Sequence, residues 1–498
     1  MRLKLTLAII TLLFILGSCK KDNRFPQPEK NNLPKAQLGF TLANTLRNNM
    51  VIQRNKPLKV WGTATASSKI SLKTSWLTDS VSTTADASGS WEISINVGSA
   101  NATPQTITAT VVGGKSISLK NILIGDVWIC SGQSNMVMQV DSIAPFQGVT
   151  NYKTEIAGAN YPSICVLTLQ SDYETNPVDT LSNPASWAVC SPQTAGNISG
   201  VAYYFARKLN TDLNVPIGII VSAVDGTSCE AWTNEAAFQA NPYLASYSGI
   251  NYATQLYNGM ISPLKDLSIT GFIWYQGENN KANNPVSDYT KLNSALIVGW
   301  RAIFNQGNLP FYFVQMPAFA QDYYTSIPVG GDPVKDSYAK FREAQANVLN
   351  VLNTGMAITM DVGEPDNQHP PDKKPVGERL ALLAEMNTYS ENVQCYGPQF
   401  SSYAINNNTV TISFKNSSGL NTANNPALNQ YFFIAGNDRV FERANAQIVN
   451  DQIVLTAPAN FTLPVMAIRY AFTDAPVTNL QNSAGLPMEP FRTDSWSN

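Results

Sequence analysis

Two residues far apart in the chain have the types and settings for acyl-transfer chemistry. Ser134 stands in Ser131-Gly132-Gln133-Ser134-Asn135, directly after an apolar run from Ile122 to Cys130. A serine just past a buried strand, beside a glycine that permits a tight turn, can present its hydroxyl in a crevice while its own N–H points at a bound oxygen. Such a hydroxyl needs a base, and the chain of 498 residues contains one histidine, His369. It follows a second apolar run, Met356 to Met360, in Asp361-Val-Gly-Glu-Pro-Asp366-Asn-Gln-His369-Pro370. Asp366, three positions earlier, is near enough in a loop to hold the imidazole tautomer and stabilise the imidazolium. Polar residues and prolines surround His369, which leaves it no apolar face to pack on.

Two further blocks follow apolar runs. Asp225-Gly226-Thr227 comes after Ile217 to Val224, and its glycine N–H can approach a substrate oxygen closely. Gln276-Gly277-Glu278-Asn279 comes after Ile269 to Tyr275, and a side-chain amide there can donate to a developing oxyanion. Gln276 is the first choice, with Asn279 and Asn280 as alternatives, and Glu278 reads as an orienting carboxylate. Cys229 is a weaker nucleophile candidate than Ser134. Asp361 and Glu364 are too few to hold a cation without further ligands. The glycines make no phosphate-binding loop. Neither a metal nor another cofactor is expected.

These residues need elements to hold them at one edge. Runs at Ile122 to Cys130, Ile164 to Leu169, Ile217 to Val224, Ile269 to Tyr275, Phe311 to Met316 and Met356 to Met360 read as strands. Between them Val201, Ala202, Phe205, Ala206 and Leu209 recur at helical spacing, as do Leu292, Leu296 and Ile303. Strands alternating with helices predict an α/β fold with a mostly parallel sheet, and chemistry at its strand ends. Short alternating runs from Met50 to Leu119 predict an antiparallel β-sandwich before it. Runs at Val410 to Phe414, Tyr431 to Ile434, Gln452 to Thr456 and Val465 to Ala471 predict a β-rich region after it.

Gly132-Gln-Ser-Asn-Met136, Trp274-Tyr-Gln-Gly-Glu278 and Asp366-x-x-His369-Pro, followed by Val376-Gly-x-Arg-Leu-Ala381, occur in this order. With Met50-Val-Ile-Gln-Arg54 and Gly485-Leu-Pro-x-x-Pro-Phe-Arg492 they make a pattern that resembles the sialate O-acetylesterase group of SGNH-type carbohydrate esterases. The resemblance implies a flavodoxin-like parallel sheet with helices on both faces. It also implies Ser134 as nucleophile, His369 as base and Asp366 as the acid, with Ser134, Gly226 and Gln276 forming the oxyanion hole. Gln133, Asn135, Trp232, Tyr275 and Glu278 are the expected substrate contacts. The implied reaction removes O-acetyl groups from sugars, with sialate ahead of acetylated xylan or another plant polysaccharide. A sialate carboxylate wants a cation, and Lys281, Arg301 and Arg342 are the candidates. The rival of another class is a non-catalytic, lipid-anchored glycan-binding protein.

Composition fits a globular chain: 44% hydrophobic, formal net charge −2, and no basic stretch that would favour nucleic acid. Arg2 and Lys4 precede an apolar stretch from Leu5 to Leu16, then Leu16-Gly-Ser-Cys19. That stretch is short of the ~20 residues a span needs and reads as a lipoprotein signal, with Cys19 the lipidated first residue of the mature chain. The expected layout is signal 1–19, tether 20–35, sandwich 36–120, catalytic domain 121–395 and C-terminal β-rich region 396–498. Export with attachment at the periplasm, outer membrane or cell surface follows. Five other cysteines at scattered spacing read as buried small hydrophobes, though a pair such as Cys165 and Cys190 is open to oxidation.

Overall fold

A computed structural model of the protein describes residues 39–183, 186–320, 336–406, 408–423, 425 and 431–496. The signal segment, the tether and Cys19 lie outside the described residues. Among the described residues no helix is long and apolar enough to cross a membrane.

The chain is mixed α/β. Its central sheet contains β1 (Ser116–Gly132), β2 (Tyr161–Thr168), β3 (Ala188–Cys190), β4 (Ile217–Ala223), β5 (Gly271–Tyr275), β6 (Phe311–Val314) and β7 (Thr354–Ala357). They lie in the order β3-β2-β4-β1-β5-β6-β7. The neighbours from β2 to β7 run parallel and β3 is an antiparallel edge. Successive side chains of a strand point to opposite faces, and both faces of this sheet are packed. Ile129, Phe272, Trp274, Phe311 and Phe313 enter one apolar cluster, whereas Trp128, Cys130, Ile273, Tyr275, Tyr312 and Val314 enter another. That is why these strands read as unbroken apolar runs rather than alternating ones.

Helices complete each cluster. On one face α4 (Tyr289–Phe304) buries Leu292, Leu296, Ile297 and Trp300. On the other, α2 (Gly200–Leu213) and α5 (Lys374–Asn387) contribute Val201, Phe205, Leu209, Leu380 and Ala384. The Ser199 hydroxyl caps α2 by accepting from Ala202 N–H at 3.3 Å, and Asn214 ends it in the left-handed conformation. Each fully buried aliphatic or aromatic side chain contributes about 1.5–3 kcal/mol, so the two clusters fix the sheet edge that carries the loops.

The N-terminal strands alternate as expected, with Trp91, Ile93 and Ile95 buried in Ser90–Ile95 and the residues between them exposed. No break separates this region from the central sheet. The run Ser116 to Leu119 continues through residue 120 into β1, one strand of 17 residues. Its first half pairs antiparallel with Asn101–Val111 and its second half parallel with β4 and β5. Val51–Gln53 lies parallel beside residues 123–125, and the Arg54 guanidinium holds Asp126 through two 2.9 Å hydrogen bonds. The Met50 to Arg54 motif thus buttresses β1 at the end remote from Ser134.

Two four-stranded antiparallel sheets follow α5. Arg492 ties them back by a two-pronged pair with Glu343 at 2.7 and 2.6 Å, and Phe491 stacks on Phe400. Cys130, Cys165, Cys190, Cys229 and Cys395 are all free and buried. The oxidation considered for Cys165 and Cys190 is not present; their side chains belong to the two clusters on opposite faces of the sheet.

Candidate active site

Gly132 closes β1 with φ +141°, and a Cβ there would fall 2.0 Å from the Tyr275 carbonyl oxygen. Only glycine lets β1 and β5 approach so closely just before the chain turns. The turn leads into α1 (Ser134–Val137), with Ser134 at its first position and 7% exposed. Across the edge, the chain leaving β7 brings His369 to it. The His369 Nε2 lies 2.8 Å from Ser134 Oγ, a distance at which the hydroxyl donates to a neutral ring.

The histidine loop is fastened at several points. Arg379 on α5 grips the Asp361 carboxylate at 2.7 and 2.5 Å and the Ile358 carbonyl at 2.8 Å. Asp361 therefore serves an ion pair, and Glu364 accepts from the Asn367 amide. His369 N–H donates to Asn367 Oδ1 at 2.9 Å, and the Phe146 ring meets the imidazole edge-on at 5.1 Å. Asp366 sits on the exposed outer turn of this loop. Burial lowers the His369 pKa below its ordinary 6.5, and the neighbouring Lys373 charge lowers it further. A base at neutral pH must be unprotonated, and both effects favour that form.

A cavity of about 360 Å³ opens over the pair. Ser134, His369, Phe146, Asp225, Gly226 and Asn279 are among the residues that line it. Gly226 has φ +64° and open space beside its Cα, and its carbonyl accepts from Asn279 Nδ2 at 2.6 Å. The backbone N–H groups of Ser134 and Gly226 donate to no backbone acceptor in the turns and loops of the described residues.

Gln276 does not reach this space. It is 1% exposed, and its amide nitrogen already donates to Gln133 Oε1, the Thr227 carbonyl and Asn280 Oδ1 at 3.1, 3.2 and 2.6 Å. Two N–H bonds shared among three acceptors leave none for an oxyanion, so its expected role is corrected. Trp232 and Tyr275 are corrected as substrate contacts, being 0% and 1% exposed. The Trp232 indole donates to Thr227 Oγ1, and Tyr275 points into the cluster under α2 and α5. Asn135, 0% exposed, contacts protein on both ends of its amide and not the cleft. Gln133 and Glu278 do line the cavity, and Cys229 is fully buried with its thiol pKa pushed up by burial.

Sequence reasoning missed Phe146 and Lys373. A lone aromatic in an irregular loop has no periodicity to single it out, and Lys373 looks like any charge before a helix. The proposed cations for a carboxylated sugar are engaged elsewhere. Arg301 donates to the Leu309 and Asn353 carbonyls, Arg342 to those of Thr473, Asp474 and Pro317, and Lys281 lies over the Tyr338 ring at 4.2 Å.

The chain is similar to known carbohydrate esterases. The model of the family described as carbohydrate esterase, sialic acid-specific acetylesterase, matches residues 124–383. Human sialate O-acetylesterase is 27% identical over 401 residues, covering 73% of this chain and 74% of that protein. The rat enzyme is 28% identical over 432 residues, covering 73% and 76%. A crystal structure of a carbohydrate acetylesterase from Xanthomonas citri superposes with a TM-score of 0.81 at 30% identity, covering 92% of this chain and all of that one. The chain belongs to the sialic acid-specific acetylesterase family of carbohydrate esterases, and it is an ester hydrolase.

Proposed function

We propose that the protein removes O-acetyl groups from carbohydrates through an acetyl-enzyme on Ser134, within an α/β unit of SGNH type. The observation that carries this is the 2.8 Å approach of His369 Nε2 to Ser134 Oγ at the open end of the parallel strands. Neutral His369 takes the hydroxyl proton as Ser134 Oγ bonds to the acetyl carbon. The N–H groups of Ser134 and Gly226 hold the oxyanion, whose collapse breaks the bond to the sugar oxygen. The imidazolium returns its proton to that oxygen, and the sugar leaves. Water, deprotonated by the same imidazole, then attacks the acetyl carbon and releases acetate. Asp366 is assigned to steady the imidazolium.

For the sugar itself, family membership supports sialate. A second reading, a neutral acetylated polysaccharide, has an observation of its own: Asp225, Glu278 and side-chain amides line the cleft, while Lys281, Arg301 and Arg342 are committed elsewhere. Acetate release from 9-O-acetylated sialic acid measured beside release from acetylated xylan decides between them. The mechanism is tested with Ser134→Ala on an aryl acetate. Loss of several orders of magnitude in kcat is expected, and undiminished turnover refutes the assignment.

A further inference from the structure

Beneath the cleft lies a buried charged group that the proposed reaction does not use. Lys373 is 1% exposed, and its Nζ donates to Asn135 Oδ1 at 2.5 Å. The other end of that amide donates to Glu278 Oε1 at 2.5 Å and to the Gln368 carbonyl at 3.0 Å. Asn135 follows the nucleophile directly and Gln368 precedes the base directly. One side-chain amide therefore staples the Ser134 turn to the His369 loop, with an ammonium at one end and a carboxylate at the other.

We propose that Lys373 is a positioning residue for the Ser134 and His369 pair, acting through Asn135, with Glu278 as its counter-charge. A hydroxyl or amide in its place, which accepts as well as donates, would leave the Asn135 amide without a fixed polarity. The ammonium permits only one orientation, oxygen toward Lys373, which aims the N–H groups at Glu278 and the histidine loop. The arrangement also places a positive charge behind the imidazole. Glu364 and Asp372 on its own loop, Glu278 on α3 (Glu278–Asn283) and the Tyr275 ring of β5 face this charge. Asn135 meets it from α1, and Gly200 of α2 lies beside its stem. Around His369 stand Ser134, Phe146, Asp225, Glu278 and, in its own loop, Asp366.

Burial brings the Lys373 pKa down to about 7, so the group is protonated in the acid range where His369 titrates. Removing its charge lets His369 take up a proton at higher pH.

The inference rests on Ser134 and His369 as nucleophile and base, and the experiment separates the two ideas. The kcat/KM of an aryl acetate is followed across its acid limb for wild type, Ser134→Ala, Lys373→Met, Lys373→Gln and Lys373→Arg. For Lys373→Met the limb is expected to move up by roughly 0.5–1 pH unit. Its kcat should fall about 10- to 100-fold from misplacement of the pair, with KM changed less than about twofold. Lys373→Arg keeps the charge and should restore the limb position. If Lys373→Met yields no folded protein, Lys373→Gln, uncharged but still able to donate to Asn135, takes its place with the same upward shift expected. An unmoved limb in a folded Lys373→Met or Lys373→Gln overturns the inference. Should Ser134→Ala remain active, the underlying mechanism fails instead.

Discussion

Gly132→Ala puts a methyl group where β1 and β5 touch. Its carbon would lie 2.0 Å from the Tyr275 carbonyl oxygen, 2.7 Å from the carbonyl carbon and 3.0 Å from the Tyr275 nitrogen. A relaxed carbon-oxygen contact is about 3.3 Å, so the strands must part or the turn must swing. Either movement loosens the Gln133 N–H bond to that same oxygen, now 3.0 Å. A buried amide left unpaired costs about 1–3 kcal/mol, and a side chain at φ +141° adds about 1–3 kcal/mol of backbone strain. The sum, roughly 2–6 kcal/mol, is a large part of the ~5–15 kcal/mol that holds an ordinary domain together. Ser134 is two residues further on, and a displacement of about 1 Å there costs about 10²-fold in turnover. Gly226→Ala is the control, because nothing lies within 4 Å of its added carbon. Only its left-handed φ of +64° resists substitution, at about 1–2 kcal/mol. Urea unfolding of both variants, with aryl-acetate turnover of Gly132→Ala, tests the ranking. If Gly132→Ala matches wild type, or if Gly226→Ala is the less stable of the two, the close-approach reasoning is wrong.

The pH profile carries a sign. His369 works as a base only when neutral, and burial with Lys373 lowers its pKa, so kcat/KM should fall on acidification with a midpoint below 6.5, its ordinary value. A midpoint above that value contradicts the site's electrostatics. Phe146→Ala removes the ring packed on the imidazole and part of the cavity wall; KM for an acetylated oligosaccharide should rise about 2- to 10-fold, in line with ~0.5–1.5 kcal/mol for an aromatic contact. KM for a small aryl acetate should change less, and equal changes for both substrates would remove Phe146 from the sugar site. The anchor expected at Cys19 is tested by fractionation: if Cys19 is acylated, Cys19→Ala moves from the membrane fraction to the soluble fraction, and identical fractionation of variant and wild type would discard the anchor.

How far the site was legible follows from what sequence encodes locally. Strand ends are local: an apolar run that stops at Ser-Gly or at Asp-x-Gly announces itself, and with one histidine in the chain the pairing of Ser134 and His369 needed no choice among bases. Side-chain direction is not local. Gln276 and Tyr275 stand at the correct strand end, yet one is consumed by a network through Gln133 and Asn280 and the other falls on the face under α2. Trp232 reads as a sugar platform and instead fills the core with its indole bonded to Thr227. Helix α5 went unread because Pro375 and Gly377 interrupt its start; the proline sits in the first turn, where its missing N–H costs nothing. Gly377 allows α2 to pack close, since a Cβ there would lie 2.6 Å from the Val201 carbonyl. Lys373 and Phe146 gain their meaning only from partners hundreds of positions away or in an irregular loop.

The unbroken β1 bears on whether the molecule can be dissected. A strand of 17 residues shared by two sheets has no hinge at which an accessory module could be cut away. Truncation near residue 120 would strip residues 122–125 of the strand that ends at Gly132 of their partners in Asn101–Val111 and Val51–Gln53, and would discard the Arg54 brace on Asp126 as well. The flanking sheet is thus an integral abutment of the nucleophile's strand, and the esterase is expected to be inherited, expressed and lost as one piece. Swapping its N-terminal region for a foreign binding module would unseat Ser134 rather than retarget it.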